Sequence, residues 1–184
     1  MYDESAPAFR RKYELADGPA ERMESANGYA ESVLLRKDDD ALMAMANDLD
    51  TLADVDAAML RRVRFAKAKA HTARSESAEA RKIYELLSAD VSNVEGAESA
   101  YRVIEALFAE TKLEECEQKI YALADSKTPH SYWLGRAFIL LGDIYVQRND
   151  TFQAKATYRS VVDGYTPADD GIVAEAQSKL EKLN

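Results

Sequence analysis

Apolar residues recur along this chain at helical spacing, grouped into pairs of short runs. The pattern is clearest over residues 138–161. Leu141, Gly142 and Tyr145 share one face of a first helix, Asn149 and Asp150 interrupt it, and Ala154, Tyr158 and Val161 share one face of a second. Small residues at Gly142 and Ala154 let two backbones approach, while Tyr145 and Tyr158 fill the space beside them. The pattern predicts a helix-turn-helix hairpin.

The same pairing returns upstream, with helices predicted over 20–36 and 41–52, 59–73 and 77–87, and 97–110 and 112–124. Leu42, Ala80, Cys116 and Ala154 take equivalent places, separated by 38, 36 and 38 residues. Thirteen residues before each stands the opening of the first-helix signature: Tyr29, Lys67, Val103 and Leu141. Constant internal spacing at four sites argues for repeats of about 34 residues lengthened in their loops. Lys67 takes an apolar place, where its stem can pack while its amine reaches water. Ile104 replaces the small residue seen at Gly142, which is expected to widen or shift that helix contact.

The ends carry partial repeats. Phe9, Tyr13 and Ala16 step like Ala154, Tyr158 and Val161, so the chain is read as opening on a second helix, within 7–16, whose first helix is missing. Asp17-Gly18-Pro19 ends it. A last helix over 170–183 has Ile172, Val173, Ala176, Leu180 and Leu183 on one side and Glu175, Lys179, Glu181 and Lys182 on a wet side. That is the half-polar cap a stack of hairpins needs. The organisation read is a single repeat domain over 1–184: a truncated repeat at 5–17, four repeats at 20–54, 58–88, 97–126 and 131–165, and a capping helix at 170–184. Thr111 with Glu114, and Asp150 with Gln153, have capping-box spacing, and Ser131 is read as a cap. Asp38-Asp39-Asp40 lacks the alternating ligands and closing Glu of a calcium loop and is read as helix capping.

Composition narrows the picture. The chain has 184 residues, 47% of them hydrophobic, with seven Gly and four Pro, which favours helix throughout and a sizeable core. A net charge of −9, from 33 acidic and 24 basic residues, argues against nucleic acid as a partner. No apolar run reaches the length of a membrane span, and the first residues lack the basic start and apolar core of a signal peptide. The single cysteine, Cys116, cannot form an intramolecular disulfide.

Candidate chemistry is sparse. His71 and His130 lie in different elements without helical zinc-pair spacing, and Cys116 falls at a small core site. Glu114-Glu115 and Asp169-Asp170 suit helix starts. Trp133 with Tyr132 is read as packing the entry of the fourth hairpin. No catalytic, metal or cofactor site is expected, and no enzyme.

The run of Phe138, Leu141-Gly142, Tyr145, Ala154, Tyr158 and the nearby Pro167 resembles a tetratricopeptide repeat, with Phe138 where that family often has Trp. The resemblance implies an all-α fold, a right-handed superhelical stack of antiparallel helix hairpins. First helices would line a concave groove that takes a segment of a protein or peptide partner. Carried over, that groove comprises Arg62, Phe65, Lys69, Glu98, Tyr101, Arg102, Glu105, Arg136, Ile139, Asp143 and Gln147. Phe65, Tyr101, Arg102 and Arg136 are its expected anchors. The Lys and Asn set by which some relatives grip a C-terminal carboxylate is matched at Lys69 alone, so that clamp is not expected. Gly164-Tyr165-Thr166-Pro167, followed by Ala-Glu-Ala-Gln-Ser-Lys-Leu, resembles the ends of bacterial cell-envelope repeat proteins and favours periplasm or envelope over cytoplasm. The function implied is a non-enzymatic interaction scaffold, expected to be the C-terminal part of a larger bacterial protein, with homo-oligomerisation left open. The alternative is an envelope glycan receptor using Tyr132 and Trp133 as an aromatic platform.

Overall fold

The computed structural model describes residues 2–36, 39–166 and 169–183. Asp38 of the triple Asp and the closing Pro167 lie outside the described residues. Among the described residues every regular element is an α-helix. They run α1 (Tyr2–Leu15), α2 (Pro19–Leu34), α3 (Asp39–Leu49), α4 (Ala57–Ala73), α5 (Ser77–Leu87), α6 (Val94–Ala109), α7 (Leu113–Asp125), α8 (Ser131–Gln147), α9 (Thr151–Gly164) and α10 (Ile172–Glu181). The chain divides into two compact units, 1–83 and 84–184, and the division falls inside α5.

In the first unit α2 packs on α1, α3 and α4, and α3 on α4. Its core gathers Ala26, Tyr29, Ala30, Val33, Leu42, Ala46 and Leu49, with Phe9 and Tyr13 against it. α1 starts five residues earlier than expected and carries Pro7 inside it. Pro7 is the sixth residue of the helix, past the unpaired N–H groups of its first turn, so it removes one backbone hydrogen bond without ending the helix. Asp39 and Asp40 occupy the first turn of α3, where their charge suits the exposed N–H groups. Lys67 is partly buried, and its amine, at the surface, is also paired. Nζ donates to Asn47 Oδ1 at 2.5 Å and lies 3.9 Å from Asp50, tying α4 to the end of α3.

In the second unit α6, α7 and α8 pack on one another, α9 packs on α8, and α10 on both α8 and α9. Ile139, Ala154, Tyr158, Val161, Ile172, Ala176 and Leu180 form one buried cluster. Each large aliphatic member contributes about 1.5–3 kcal/mol on burial. Gly142 is required here. A Cβ at this position would lie 2.2 Å from Cε1 of Tyr158, whose ring is wholly buried.

The repeat read from spacing is visible in the backbone. Leu42, Ala80, Cys116 and Ala154 are all buried, and each is the fourth residue of its helix, α3, α5, α7 and α9. Five residues before the last three, Ser75, Thr111 and Asn149 have φ of 61°, 58° and 59°. In each case the following N–H reaches back five residues, from Glu76 to the His71 carbonyl, Lys112 to Leu107 and Asp150 to Tyr145. The left-handed residue itself bonds three back, to Thr72, Phe108 and Val146. This is the Schellman end of a helix, made three times without glycine.

Several predicted caps differ. Asp150 caps α9, accepting from the Gln153 N–H at 3.0 Å. Thr111 is no cap: its hydroxyl donates to the Glu110 carbonyl, and Lys112 precedes α7 without a side-chain cap bond. Ser131 is the first residue of α8 rather than its cap. α6 begins at Val94, three residues before the predicted start, because Asn93 caps it through the Gly96 N–H at 2.8 Å. Gly96, which precedes the predicted helix, lies in the first turn of α6. A Cβ there would stand 1.8 Å from the Asp90 carbonyl oxygen, so glycine permits the loop to close onto the helix.

Candidate functional site

The first helices of the second unit, α6 and α8, together with α10, bring one set of predicted residues into contact. Glu98, Tyr101, Arg102 and Glu105 share a face of α6 by their spacing of three and four. Arg102 donates to Glu98 Oε1 at 3.1 Å and to Glu105 Oε2 at 3.0 Å. Burial works against its charge, and the bonds to Glu105 and Glu98 outweigh that, so the guanidinium is held charged more firmly than usual. From α8, Arg136 donates to Glu175 Oε2 of α10 at 2.7 Å and to Tyr101 Oη at 3.2 Å.

Both guanidiniums rest against one ring. The Cζ of Arg102 lies 5.9 Å, and that of Arg136 5.6 Å, from the Tyr101 centroid. Arg102 also covers Trp133 at 5.7 Å, and the Trp133 and Tyr101 rings stand 5.5 Å apart. Tyr132 meets Trp133 edge-on at 4.9 Å. Burial pushes the Tyr101 hydroxyl up from its ordinary pKa, with the Arg136 bond pulling the other way. Further along, Asp143 accepts from Lys179 Nζ at 2.7 and 2.9 Å and from Tyr158 Oη at 2.6 Å.

Two predicted groove residues do not face outward. Ile139 is 3% exposed and belongs to the α8–α9–α10 core, because α10 covers that side of α8. Tyr101 is 2% exposed and supports the two arginines instead of offering its ring to a partner. Gln147 is exposed at the end of α8. In the first unit, Arg62 and Lys69 are exposed on α4, and Phe65 lies half-buried beneath Lys69, 5.6 Å from its amine. Arg62 borders a shallow cleft of about 230 Å³ with Glu31, Leu34 and Leu35.

Trp133, Glu175 and Lys179 were missed as members of this face. The signal was available for Trp133, three residues before Arg136 and so on the same side of α8. Glu175 and Lys179 do not form a wet side: they turn onto α8 and pair with Arg136 and Asp143.

Cys116 is buried, its Sγ donating to the Ile104 carbonyl at 3.4 Å, and burial pushes its thiol up to about 11. His71 Nδ1 lies 2.6 Å from Glu76, and His130 Nε2 lies 3.2 Å from the Ser92 carbonyl. Among the described residues no three His, Cys, Asp or Glu side chains gather as a metal site, and no helix is long and apolar enough to cross a membrane.

No family model and no curated protein matches the chain. Among solved structures, the crystal structure of BtubC (BKLC) from P. vanneervenii is similar in fold. The TM-score is 0.64 at 13% sequence identity, over 100% of this chain and 83% of that one.

Proposed function

We propose that this chain is a non-enzymatic helical-repeat module of the tetratricopeptide kind, which receives a segment of a protein partner on its first-helix faces. The recurring hairpin ends and the helical likeness to BtubC support the repeat reading. The observation that carries the binding reading is the pair Arg102 and Arg136. Each guanidinium uses two of its five N–H donors inside the unit. Each is about one-third exposed, fixed by a carboxylate and an aromatic ring. Donors held in place lose little entropy when they meet the carbonyl or carboxylate oxygens of a bound segment, and arginine beside aromatic rings is the usual make-up of an interface anchor. The alternative glycan receptor needs an open Trp133 face, and Arg102 lies over it.

The test is capture of partners from lysate of the source organism on immobilised wild-type chain, Arg102→Ala and Arg136→Ala, with bound proteins identified by mass spectrometry. Circular dichroism confirms that both variants are folded. At least one protein is expected to be held by wild type and lost or reduced tenfold or more in both variants. If both retain every partner, this face is not the binding face.

A further inference from the structure

The hairpin of α6 and α7 lacks the interlock seen in that of α8 and α9. Where Gly142 is filled by the Tyr158 ring, the equivalent places hold Ile104 and Ile120, both fully buried. Two β-branched side chains leave no aromatic ring to fill the space beside them. A cleft of about 190 Å³ runs beside Ile104, walled by Val91, Ala100, Val103 and Leu123. By liquid volume it holds roughly six waters, well short of a drug-sized ligand. Lys119 is one of the residues lining it and is exposed. Among the described residues its ammonium has no hydrogen bond or ion pair. The unit around it carries 17 acidic and 10 basic residues, so an unpaired cation over an apolar hollow is out of keeping with its surroundings.

We propose that this cleft binds a short aliphatic monocarboxylate, the alkyl tail against Ile104, Val103 and Leu123 and the carboxylate at Lys119. The size of the hollow admits a tail of about five carbons, and the charge of Lys119 selects acid over alcohol or amine. The site lies apart from the Arg102–Arg136 face and does not depend on it.

The test is an NMR titration of the ¹⁵N-labelled full chain with hexanoate, and with hexanol and hexylamine as uncharged and cationic probes. Weak binding is expected, with shifts confined to Ala100, Val103, Ile104, Lys119 and Leu123. Hexanoate is expected to bind about two- to fivefold tighter than hexanol, the range of an exposed ion pair. Lys119→Ala, which removes only an exposed side chain, reduces hexanoate to the affinity of hexanol and leaves hexanol unchanged. Ala100→Phe, checked for an unaltered helical spectrum, closes the cleft to both. The proposal is overturned if hexanoate and hexanol bind wild type alike, if Lys119→Ala leaves hexanoate unchanged, or if shifts are absent or centred elsewhere.

Discussion

Ser99 is wholly buried on α6, and its hydroxyl has no hydrogen-bond partner among the described residues. An unmet buried hydroxyl costs about 1–3 kcal/mol, whereas the methyl of alanine costs nothing to bury and suits a helix. Ser99→Ala is therefore expected to stabilise the chain by about 1 kcal/mol, read as a rise in the urea midpoint with unchanged slope. A lower midpoint would mean that the hydroxyl is satisfied. Gly142 is the opposite case. Its missing side chain is the space that Tyr158 fills, and the Tyr158 hydroxyl is anchored to Asp143. Gly142→Ala must push the ring aside and break that anchor, which is expected to cost about 1–3 kcal/mol and several degrees of melting temperature. An unchanged melting temperature would show that the hairpin yields without strain. The role of Gly142 was legible because a glycine set opposite an aromatic at fixed helical spacing marks a close approach of two backbones. That of Ser99 was not: nothing in the string of letters says whether a serine on a helix has found an acceptor.

At the scale of the element, α7 and α8 are joined by a polar clamp. Glu117 accepts from Arg148 at 2.5 Å and from Tyr145 at 2.9 Å, and Tyr145 lies 3.1 Å from the Tyr121 hydroxyl. Burial raises the Glu117 carboxyl, but the bonds from Arg148 and Tyr145 outweigh it and hold the group below its ordinary pKa. A carboxylate depressed in the folded state stabilises above its unfolded value, about 4.3 for Glu, and that contribution is lost as pH falls through the lower folded value. Wild type is thus expected to exceed Glu117→Gln by about 1 kcal/mol at neutral pH, the gap closing under acid. A gap independent of pH would mean that the charge contributes nothing. Helices and their period could be read from sequence because apolar spacing is a local property that packing must respect. Their ends were less legible: Thr111 and Asn93 are both plausible caps, and only the tertiary path decides that the first becomes a left-handed turn and the second a true cap. The face suffered similarly. Spacing put Ile139 and Tyr101 on the first-helix side, but it could not show that α10 covers one or that two arginines cover the other.

The whole molecule holds its charge unevenly. Residues 84–184 have 17 acidic against 10 basic side chains, and residues 1–83 have 16 against 14, so most of the net −9 lies in the second unit. Self-repulsion of that size does not prevent a compact state where the core is continuous, and the second unit has its own: Ile139, Tyr158, Ile172 and Leu180 meet within it. Repeat architectures are stabilised chiefly by neighbouring elements, which makes such a unit separable in principle. A fragment of residues 77–184, cut so that α5 stays intact, is accordingly expected to keep a strongly helical spectrum, to melt in one cooperative transition and to reproduce the amide shifts of α8 to α10 in the full chain. Its melting temperature should rise with salt if repulsion among its acidic side chains outweighs its surface ion pairs, because screening weakens both and exposed pairs contribute little. A broad, uncooperative melt would show that the core of α8, α9 and α10 needs residues before α5, and the division inside α5 would then mark a change in contact density rather than the edge of a folding unit.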